Sequence, residues 1–134
     1  MIKIVKTSNP DAAIALMPLY VETEKADRKI LAERLFERMC KEPEETLVLG
    51  MTENDSLVGF GVVYSNGNVA TVWQTKVLPS IDSRWTAILF GLMIGWAKKK
   101  GFKKITAETQ RNPKAWQKRY GFDVADNGTI YKEI

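Results

Sequence analysis

The alternation of hydrophobic and polar residues at the start of the chain predicts a short first strand, because Ile2 and Ile4 lie between lysines. Two amphipathic helices are expected next. The first contains Pro18, which should kink or shorten it, and the second starts near Asp27 and stops before Pro43. The second helix has an apolar stripe formed by Ile30, Leu31, Leu35, Phe36 and Met39.

Three strands are predicted next, at residues 46–51, 57–64 and 69–77. A polar turn at residues 53–56 separates the first two, and Asn66-Gly67 is a strong hairpin signal between the second and the third. Gly59 and Gly61 lie two apart on one face, which indicates a bulge or a close approach of another element. These strands should form an antiparallel meander.

The next helix has the clearest periodicity in the chain and is expected after a polar loop at residues 80–87. One side is apolar, with Ile88, Leu89, Leu92, Met93 and Trp96. A stripe of small residues, Ala87, Gly91 and Gly95, lies beside it. Because glycine costs about 1 kcal/mol relative to alanine inside a helix, this stripe is expected to pack closely against the sheet.

The last elements are a strand at residues 103–109, a short helix at 112–119 with Gly121 just after its end, and a hairpin turning at Asn127-Gly128. The strand, helix and strand around residue 90 imply a right-handed crossover and one parallel strand pair. The predicted order is β-α-α-β-β-β-α-β-α-β-β. This is a single α/β domain over residues 1–134, with a mixed, mostly antiparallel sheet.

Composition excludes several kinds of chemistry. The chain of 134 residues has no histidine and a single cysteine, Cys40, so it offers neither the usual neutral-pH acid and base nor a zinc cluster. Cys40 lies in the second predicted helix and is expected to be a core or half-buried thiol. The longest mostly apolar run, residues 85–97, is too short to span a bilayer, and no signal peptide is evident. A cytoplasmic protein without metal is expected.

Charge is divided unevenly between the two parts of the chain. Residues 1–70 carry 8 Lys and Arg against 11 Asp and Glu, whereas residues 71–134 carry 12 against 5. A basic second half suits a nucleotide-like cofactor or a nucleic acid, and it is equally consistent with a solvated lysine face.

The order of elements resembles that of the GNAT acetyltransferase superfamily along essentially the whole chain. Residues 77–79 (VLP) resemble the end of that family's fourth strand, where a bulge splays it from the fifth. Residues 112–122 resemble the family's N-x-x-A segment followed by a Gly-Phe helix ending, here KRYGF. The resemblance implies an acetyl-CoA-dependent N-acetyltransferase. Divergent small proteins of this kind also occur in bacteriophages, so it also suggests a phage origin.

The same resemblance implies that the pantetheine arm of acetyl-CoA enters between the splayed strands and that the next loop holds the pyrophosphate. The implied cofactor residues are Lys76, Val77, Leu78, Ser83, Arg84, Trp85, Thr86, Ala87, Asn112 and Trp116. The family loop reads R/Q-x-x-G-x-G/A, but this loop has no glycine. Bulky Trp85, or Arg84 in the alternative alignment, takes a glycine place, and Asp82 should repel phosphate.

The resemblance gives weaker candidates for proton transfer. The position of the tyrosine that acts as general acid in many family members is Gln117 here. Tyr120, beside the glycine, is the nearest tyrosine able to replace it. Glu108, near the end of the fifth strand, is the nominated base for the amine, and Gln74 and Thr75 are positioned to hold a water. Both Tyr120 and Glu108 also have an interpretation without a catalytic role. Tyr120 could simply pack at the end of the helix, and Glu108 could be a solvated surface residue.

Three functional hypotheses follow from these residues. The first is N-acetyl transfer from acetyl-CoA to a small-molecule or protein amine by direct attack, since transfer can rely mainly on positioning and electrostatics. The second is a GNAT-fold binding or structural protein with little or no CoA binding. The third hypothesis is nucleic-acid binding by the basic half. It is the weakest, because no RRM, OB or helix-turn-helix pattern accompanies the basic residues. No sequence feature fixes the acceptor or the oligomeric state, and a homodimer is among the states allowed.

Overall fold

The computed structural model describes residues 1–21, 27–107, 113–125 and 129–134. Within these residues the chain forms one mixed sheet with helices on both faces. The strands are β1 (Ile2–Thr7), β2 (Thr46–Glu53), β3 (Ser56–Asn66), β4 (Val69–Val77), β5 (Lys104–Ala107), β6 (Asp123–Val124) and β7 (Ile130–Glu133). The helices are α1 (Ala12–Ala15), α2 (Arg28–Lys41), α3 (Ser83–Lys99) and α4 (Pro113–Tyr120), with short 3-10 turns at Met17–Leu19 and Pro43–Glu45.

The sheet has the order β1-β2-β3-β4-β5-β7-β6, and each neighbouring pair is antiparallel except β4 and β5. The predicted element order and the single parallel step are therefore confirmed. The hairpin between β3 and β4 turns at Gly67, whose φ of +62° is the left-handed conformation expected for glycine after Asn66. The Asn127-Gly128 turn predicted for the last hairpin lies outside the described residues.

Alternation along the strands divides the core into two layers. On one face of the sheet, Val48, Phe60 and Val62 pack under α1 and α2. On the other face, Leu47, Val63 and their neighbours pack under α3 and α4. Because both faces are covered, the central strands β2 and β3 read as nearly continuous apolar runs rather than as a clean alternation.

The first two helices follow the prediction in outline but not in every residue. Pro18 ends α1 early and forms a 3-10 turn, and the carboxylate of Asp27 caps α2 by accepting a hydrogen bond from the N–H of Ile30. Leu31, Leu35 and Met39 are buried, but the predicted stripe was too wide. Ile30, Phe36 and Cys40 are exposed, because α2 covers the sheet with a single narrow face.

The face that α3 buries differs from the predicted one. Leu89, Phe90, Met93 and Ala97 form the buried stripe, whereas Ile88 and Leu92 are 45% and 46% exposed. The small residues Ala87, Gly91 and Gly95 are also exposed, and a Cβ added at either glycine would meet no atom within 4 Å. Phe90 explains the rotation, since turning this large ring to the core buries more apolar area than the predicted stripe would.

Close packing occurs instead at the two glycines of β3. A Cβ at Gly61 would lie 3.0 Å from the sulfur of Met93, so α3 is seated directly on the strand there. At Gly59 a Cβ would meet the carbonyl oxygen of Lys76 at 3.0 Å. The register between β2 and β3 also shifts at this point, where Met51 faces Gly59 and Thr52 faces Leu57. Both features predicted from the glycine spacing, a close approach and a bulge, are therefore present.

Candidate functional site

The most distinctive feature of the sheet is the point where β4 leaves β5. Across β3, Val63 faces Val72 and Val62 faces Gln74, so Trp73 is an extra residue in β4 and forms a bulge. Among the described residues, β5 pairs with β4 at residues 70–72, and the last of these pairs joins Val72 to Ala107. In the part of the chain that the structure describes, residues 73–77 therefore have no strand partner on that side. The residues that follow Ala107 lie outside the described part, so the gap that the resemblance implies beside residues 77–79 stays a prediction.

The segment after β4 enters a helix sooner than predicted. Residues 83–87 were expected to form the second half of a loop, but α3 already begins at Ser83. The reason is Asp82, the N-cap, whose Oδ1 accepts a hydrogen bond of 2.9 Å from the N–H of Arg84. The nominated residues Ser83, Thr86 and Ala87, together with Arg84 and Trp85, therefore lie in the first turns of a helix.

Asp82 also pairs with the side chain of the same arginine. Its Oδ2 lies 3.2 Å from Nε and 3.1 Å from Nη2 of Arg84, and both side chains are largely exposed. The hydrogen bonds from Arg84 lower the pKa of Asp82 below its ordinary value. The bond from the backbone N–H has the largest effect, and the bond from the guanidinium has the next largest. The start of α3, where a helix favours an anion, thus already holds a carboxylate and its counterion.

Thr75 supplies a direct test of whether the gap suits a ligand. It faces Gly61 across β3, so it projects toward α3, and it lies in the stretch of β4 that has no β5 neighbour among the residues with a described position. Its hydroxyl oxygen is buried and has no hydrogen-bond partner among the described residues. Since buried hydroxyls are normally paired, an orphan at this edge fits a polar ligand group in the gap. The Thr75 edge therefore suits an amide-bearing arm, and Asp82 does not suit a diphosphate.

Gln74, the next residue along β4, holds the opposite face of the site. Its amide oxygen accepts from the N–H of Val21 at 3.1 Å, and its amide nitrogen donates to the Val21 carbonyl at 3.2 Å. Beside it, the ring of Trp73 meets the buried ring of Tyr20 edge-on, with centroids 5.5 Å apart. The Gln74 side chain thus ties the end of the α1 segment to the bulge, a use different from the predicted water site.

The other nominated residues of β4 have defined surroundings. Lys76 faces Phe60 and Val77 faces Gly59 across β3, and the side chain of Val77 packs on the α3 side of the core. The N–H of Leu78 donates to the carbonyl of Val58 at 2.9 Å. Leu78 is therefore turned back toward β3, so its N–H is not available to a ligand in the gap.

Trp116 and Tyr120 of α4 belong to an aromatic cluster. The ring of Trp116 meets Phe90 of α3 edge-on at 5.0 Å, and Tyr120 lies 5.0 Å from the same ring. Phe122 completes the cluster at 5.8 Å from Trp116. Gly121 ends the helix with a φ of +70°, as predicted. These contacts give both nominated aromatics a packing role and leave their chemical roles as predictions.

Glu108 and Asn112 lie outside the described residues, so the nominated base and one nominated cofactor residue have no structural account. Among the residues that are described, no group of three or more Cys, Asp or Glu is placed to hold a metal ion. The described helices also include none that is long and apolar enough to cross a membrane.

Sequence reasoning missed several residues that define the site. Asp82 was named only as a charge that repels phosphate; its role as N-cap could have been predicted, because an Asp directly before an apolar periodic segment is a standard helix start. The bulge at Trp73 and the bond between Gln74 and Val21 leave no such local signal. Arg34 and Arg38 lie outside the apolar stripe predicted for α2, yet both line a cavity next to Trp73.

Comparison with solved structures identifies the fold. The chain superposes on PaiA N-acetyltransferase from Thermoplasma acidophilum, solved with coenzyme A, with a TM-score of 0.75, 18% identity, and coverage of 100% of this chain and 99% of that one. A GNAT-family chain from Desulfovibrio desulfuricans gives 0.78, 14% identity and 99% coverage of both chains. A predicted acetyltransferase from Clostridium acetobutylicum, solved with acetyl-CoA, gives 0.72 at 14% identity, covering 94% and 92%.

The chain therefore has the fold of the GNAT acetyltransferases, and the low identities make it a divergent example of that fold. No protein-family model matches the sequence, and comparison with curated proteins returns no match. The resemblance stated from the sequence is thus confirmed for the fold. The acceptor and the catalytic residues have to be argued from the chain itself.

Proposed function

We propose that this protein is an acetyl-CoA-dependent N-acetyltransferase that acts on a primary amine by direct attack. The observation that carries the proposal is the bulge at Trp73, after which residues 73–77 of β4 have no β5 partner among the described residues and lead on to the start of α3. A backbone edge of this kind can pair with the amides of a pantetheine arm, as an added strand would. The orphan hydroxyl of Thr75 supports the same use.

The reaction is the transfer of an acetyl group from a thioester. The amine nitrogen attacks the thioester carbonyl, the C–N bond forms, the C–S bond breaks, and the thiolate takes up a proton. We propose Tyr120 as the donor of that proton and Glu108 as the acceptor of the proton lost by the amine. Holding the amine and the acetyl thioester side by side in the gap would account for much of the rate enhancement by proximity.

Thiol release from acetyl-CoA in the presence of an amine panel tests this proposal. Tyr120→Phe retains the ring packing on Phe90 but removes the hydroxyl, so kcat is expected to fall by at least about 10-fold with the KM for acetyl-CoA unchanged. Lys118→Gln on the exposed side of α4 is the control, with no change expected. Equal rates for Tyr120→Phe and wild type would remove Tyr120 from the mechanism.

The second candidate is a GNAT-fold binding protein without catalysis, and the Asp82–Arg84 pair at the start of α3 favours it. In this case the helix start is closed by its own carboxylate and does not hold a diphosphate. Calorimetry with acetyl-CoA separates the two candidates when it is paired with thiol release. Weak or absent acetyl-CoA binding with no thiol release over the whole amine panel supports the second candidate, and sustained release excludes it.

A further inference from the structure

We propose that the cavity between α2 and strands β3 and β4 receives the acceptor, and that the acceptor is a small amine bearing a carboxylate bound by Arg34. This inference rests on the proposed acetyl transfer. The cavity has a volume of about 200 Å³. Its lining consists of Arg34, Leu35, Arg38, Val62, Tyr64 and Trp73.

The cavity lies beside the bulge of β4. Trp73, the bulge residue, forms part of its wall, and from that residue onward β4 has no β5 partner among the described residues. Gln74 holds Val21 on this face of the sheet, so the α1 segment is tied down next to the cavity. An amine seated here is therefore close to the strand edge that we assign to the acetyl donor.

The two arginines of the cavity differ in what they can do. Arg38 donates from Nε to the hydroxyl of Thr46 at 3.1 Å and from Nη2 to the carbonyl of Ser65 at 2.9 Å. It also pairs with Glu42 at 3.1 Å and stacks on Tyr64, with its guanidinium carbon 4.1 Å from the ring centroid. Arg38 is thus a structural residue whose charge is already balanced.

Arg34, one helical turn earlier, has no hydrogen bond or ion pair among the described residues. Within the described ranges of the chain, no Asp or Glu lines the cavity. The cavity therefore combines apolar walls from Leu35, Val62 and Trp73 with one guanidinium at its rim that no described carboxylate compensates. A guanidinium fork binds a carboxylate through two parallel N–H···O bonds.

Charge and size together select the class of ligand. One uncompensated positive charge matches the single charge of a carboxylate, whereas a phosphate with nearly two charges would be only half neutralised. A volume of 200 Å³ corresponds to about seven water molecules in the liquid. That is the scale of a free amino acid with an apolar or extended side chain, not of a peptide segment or a nucleotide.

Matched amine pairs that differ only in the carboxylate test the proposal. The pairs are leucine with isoamylamine, phenylalanine with phenethylamine and lysine with cadaverine. Binding is followed without acetyl-CoA by the NMR shift of the Trp73 indole N–H, and transfer is followed by thiol release. We expect at least one carboxylated member to shift Trp73 and to bind about 10-fold more tightly than its partner. Arg34→Gln should abolish that preference, and Arg34→Lys should retain part of it.

Lys29→Gln removes an exposed charge from the same helix and should leave the preference unchanged. An unaltered preference in Arg34→Gln, a silent Trp73 with all three amino acids, or stronger binding of O-phosphoethanolamine would overturn the carboxylate site. The outcome for acetyl-CoA is separate. Arg34-dependent amino-acid binding in a protein that does not bind acetyl-CoA would support the carboxylate site and reject the proposed transfer.

Discussion

The carboxylate of Asp82 holds both the backbone N–H and the guanidinium of Arg84, at 2.9 Å and 3.1 Å respectively. This pair occupies the helix start at which a GNAT fold is expected to accept the diphosphate of CoA. A negative side chain there satisfies the helix N–H groups and the helix dipole in the way a bound phosphate would. When acetyl-CoA binds, its diphosphate must therefore either overcome repulsion from this carboxylate or displace it from the helix start.

Neutralising Asp82 should strengthen acetyl-CoA binding. Asp82→Asn retains a capping oxygen but removes the charge, and two like charges about 4 Å apart in water repel by about 1 kcal/mol. The expected result is an affinity on the order of fivefold higher by calorimetry. Asp11→Asn, which removes an exposed charge at the start of α1, is the control and should change nothing. Equal affinity in Asp82→Asn and wild type would show that the diphosphate binds elsewhere.

Thr75→Val should have opposite effects on stability and binding. The valine removes a buried hydroxyl that lacks a partner among the described residues, so the free protein should gain about 1 kcal/mol in free energy of unfolding. Acetyl-CoA affinity should fall by about 3- to 10-fold, because the ligand loses a hydrogen bond. Denaturant unfolding and calorimetry measure the two quantities.

Thr71→Val on the same strand is the matched control for this substitution. The Thr71 hydroxyl lies 3.0 Å from that of Thr106 on β5, so its removal leaves a partner unpaired. Thr71→Val should therefore destabilise the protein by about 1 kcal/mol. If both variants lose stability alike, the Thr75 hydroxyl has a partner within the protein and is not an acyl-donor contact.

The glycines of α3 and β3 should respond to alanine in opposite directions. Gly91 is exposed within the helix and has open space around its missing Cβ, so Gly91→Ala should raise the free energy of unfolding by about 0.5–1 kcal/mol. At Gly59 a Cβ would lie 3.0 Å from a backbone oxygen, so Gly59→Ala should be destabilising by more than 1 kcal/mol, as overpacking typically is. A destabilised Gly91→Ala would indicate that a partner covers α3.

Tyr20 should make the protein sensitive to alkali. Its hydroxyl is buried and donates to the carbonyl of Ala13, and burial raises the pKa of Tyr20 above the ordinary value of 10.0. Above pH 10 the unfolded chain loses this proton while the folded protein retains it. The contribution of Tyr20 to stability is therefore complete below pH 10 and declines as the pH rises further.

Urea unfolding of wild type and Tyr20→Phe across this range checks the sign. Below pH 10 the variant should be less stable by about 1–2 kcal/mol, since it lacks the hydrogen bond. The difference should shrink as the pH rises above 10. Tyr131→Phe, at a half-buried tyrosine of β7, is the control. A difference that stays constant up to the alkaline limit would mean that the Tyr20 hydroxyl does not titrate on unfolding.

Sequence patterns predicted the fold well because its determinants are local or periodic. The Asp27 cap of α2, the turn at Gly67 and Gly121 at the end of α4 each act within a few residues. The parallel strand pair follows from the strand-helix-strand order. The face of α3 was misassigned because the predicted stripe left out Phe90, the large ring that the helix turns to the core. Met93, which packs against Gly61, belongs to both the predicted and the observed face.

The candidate site was harder to predict because its key relationships join residues distant in sequence. Gln74 hydrogen-bonds to Val21, which lies 53 positions away in the sequence. Trp73 and Arg34 line the same cavity only once α2 has packed on the assembled sheet. The extra residue in β4 is a consequence of pairing with β3 and leaves no mark on the apolar pattern. The resemblance pointed to the right region, but the chemistry of its surroundings required the structure.

Hydrogen exchange of the backbone amides of residues 73–87, with and without acetyl-CoA, tests the central claim most directly. The edge of β4 at residues 73–77, which has no β5 partner in the described part of the chain, should exchange readily in the free protein and become protected at saturating acetyl-CoA, together with the first amides of α3. Desulfo-CoA, which lacks the thiol but retains the pantetheine arm and diphosphate, should give the same protection. Unchanged exchange at residues 73–77 with millimolar acetyl-CoA present would contradict the assignment of this edge to the acyl donor.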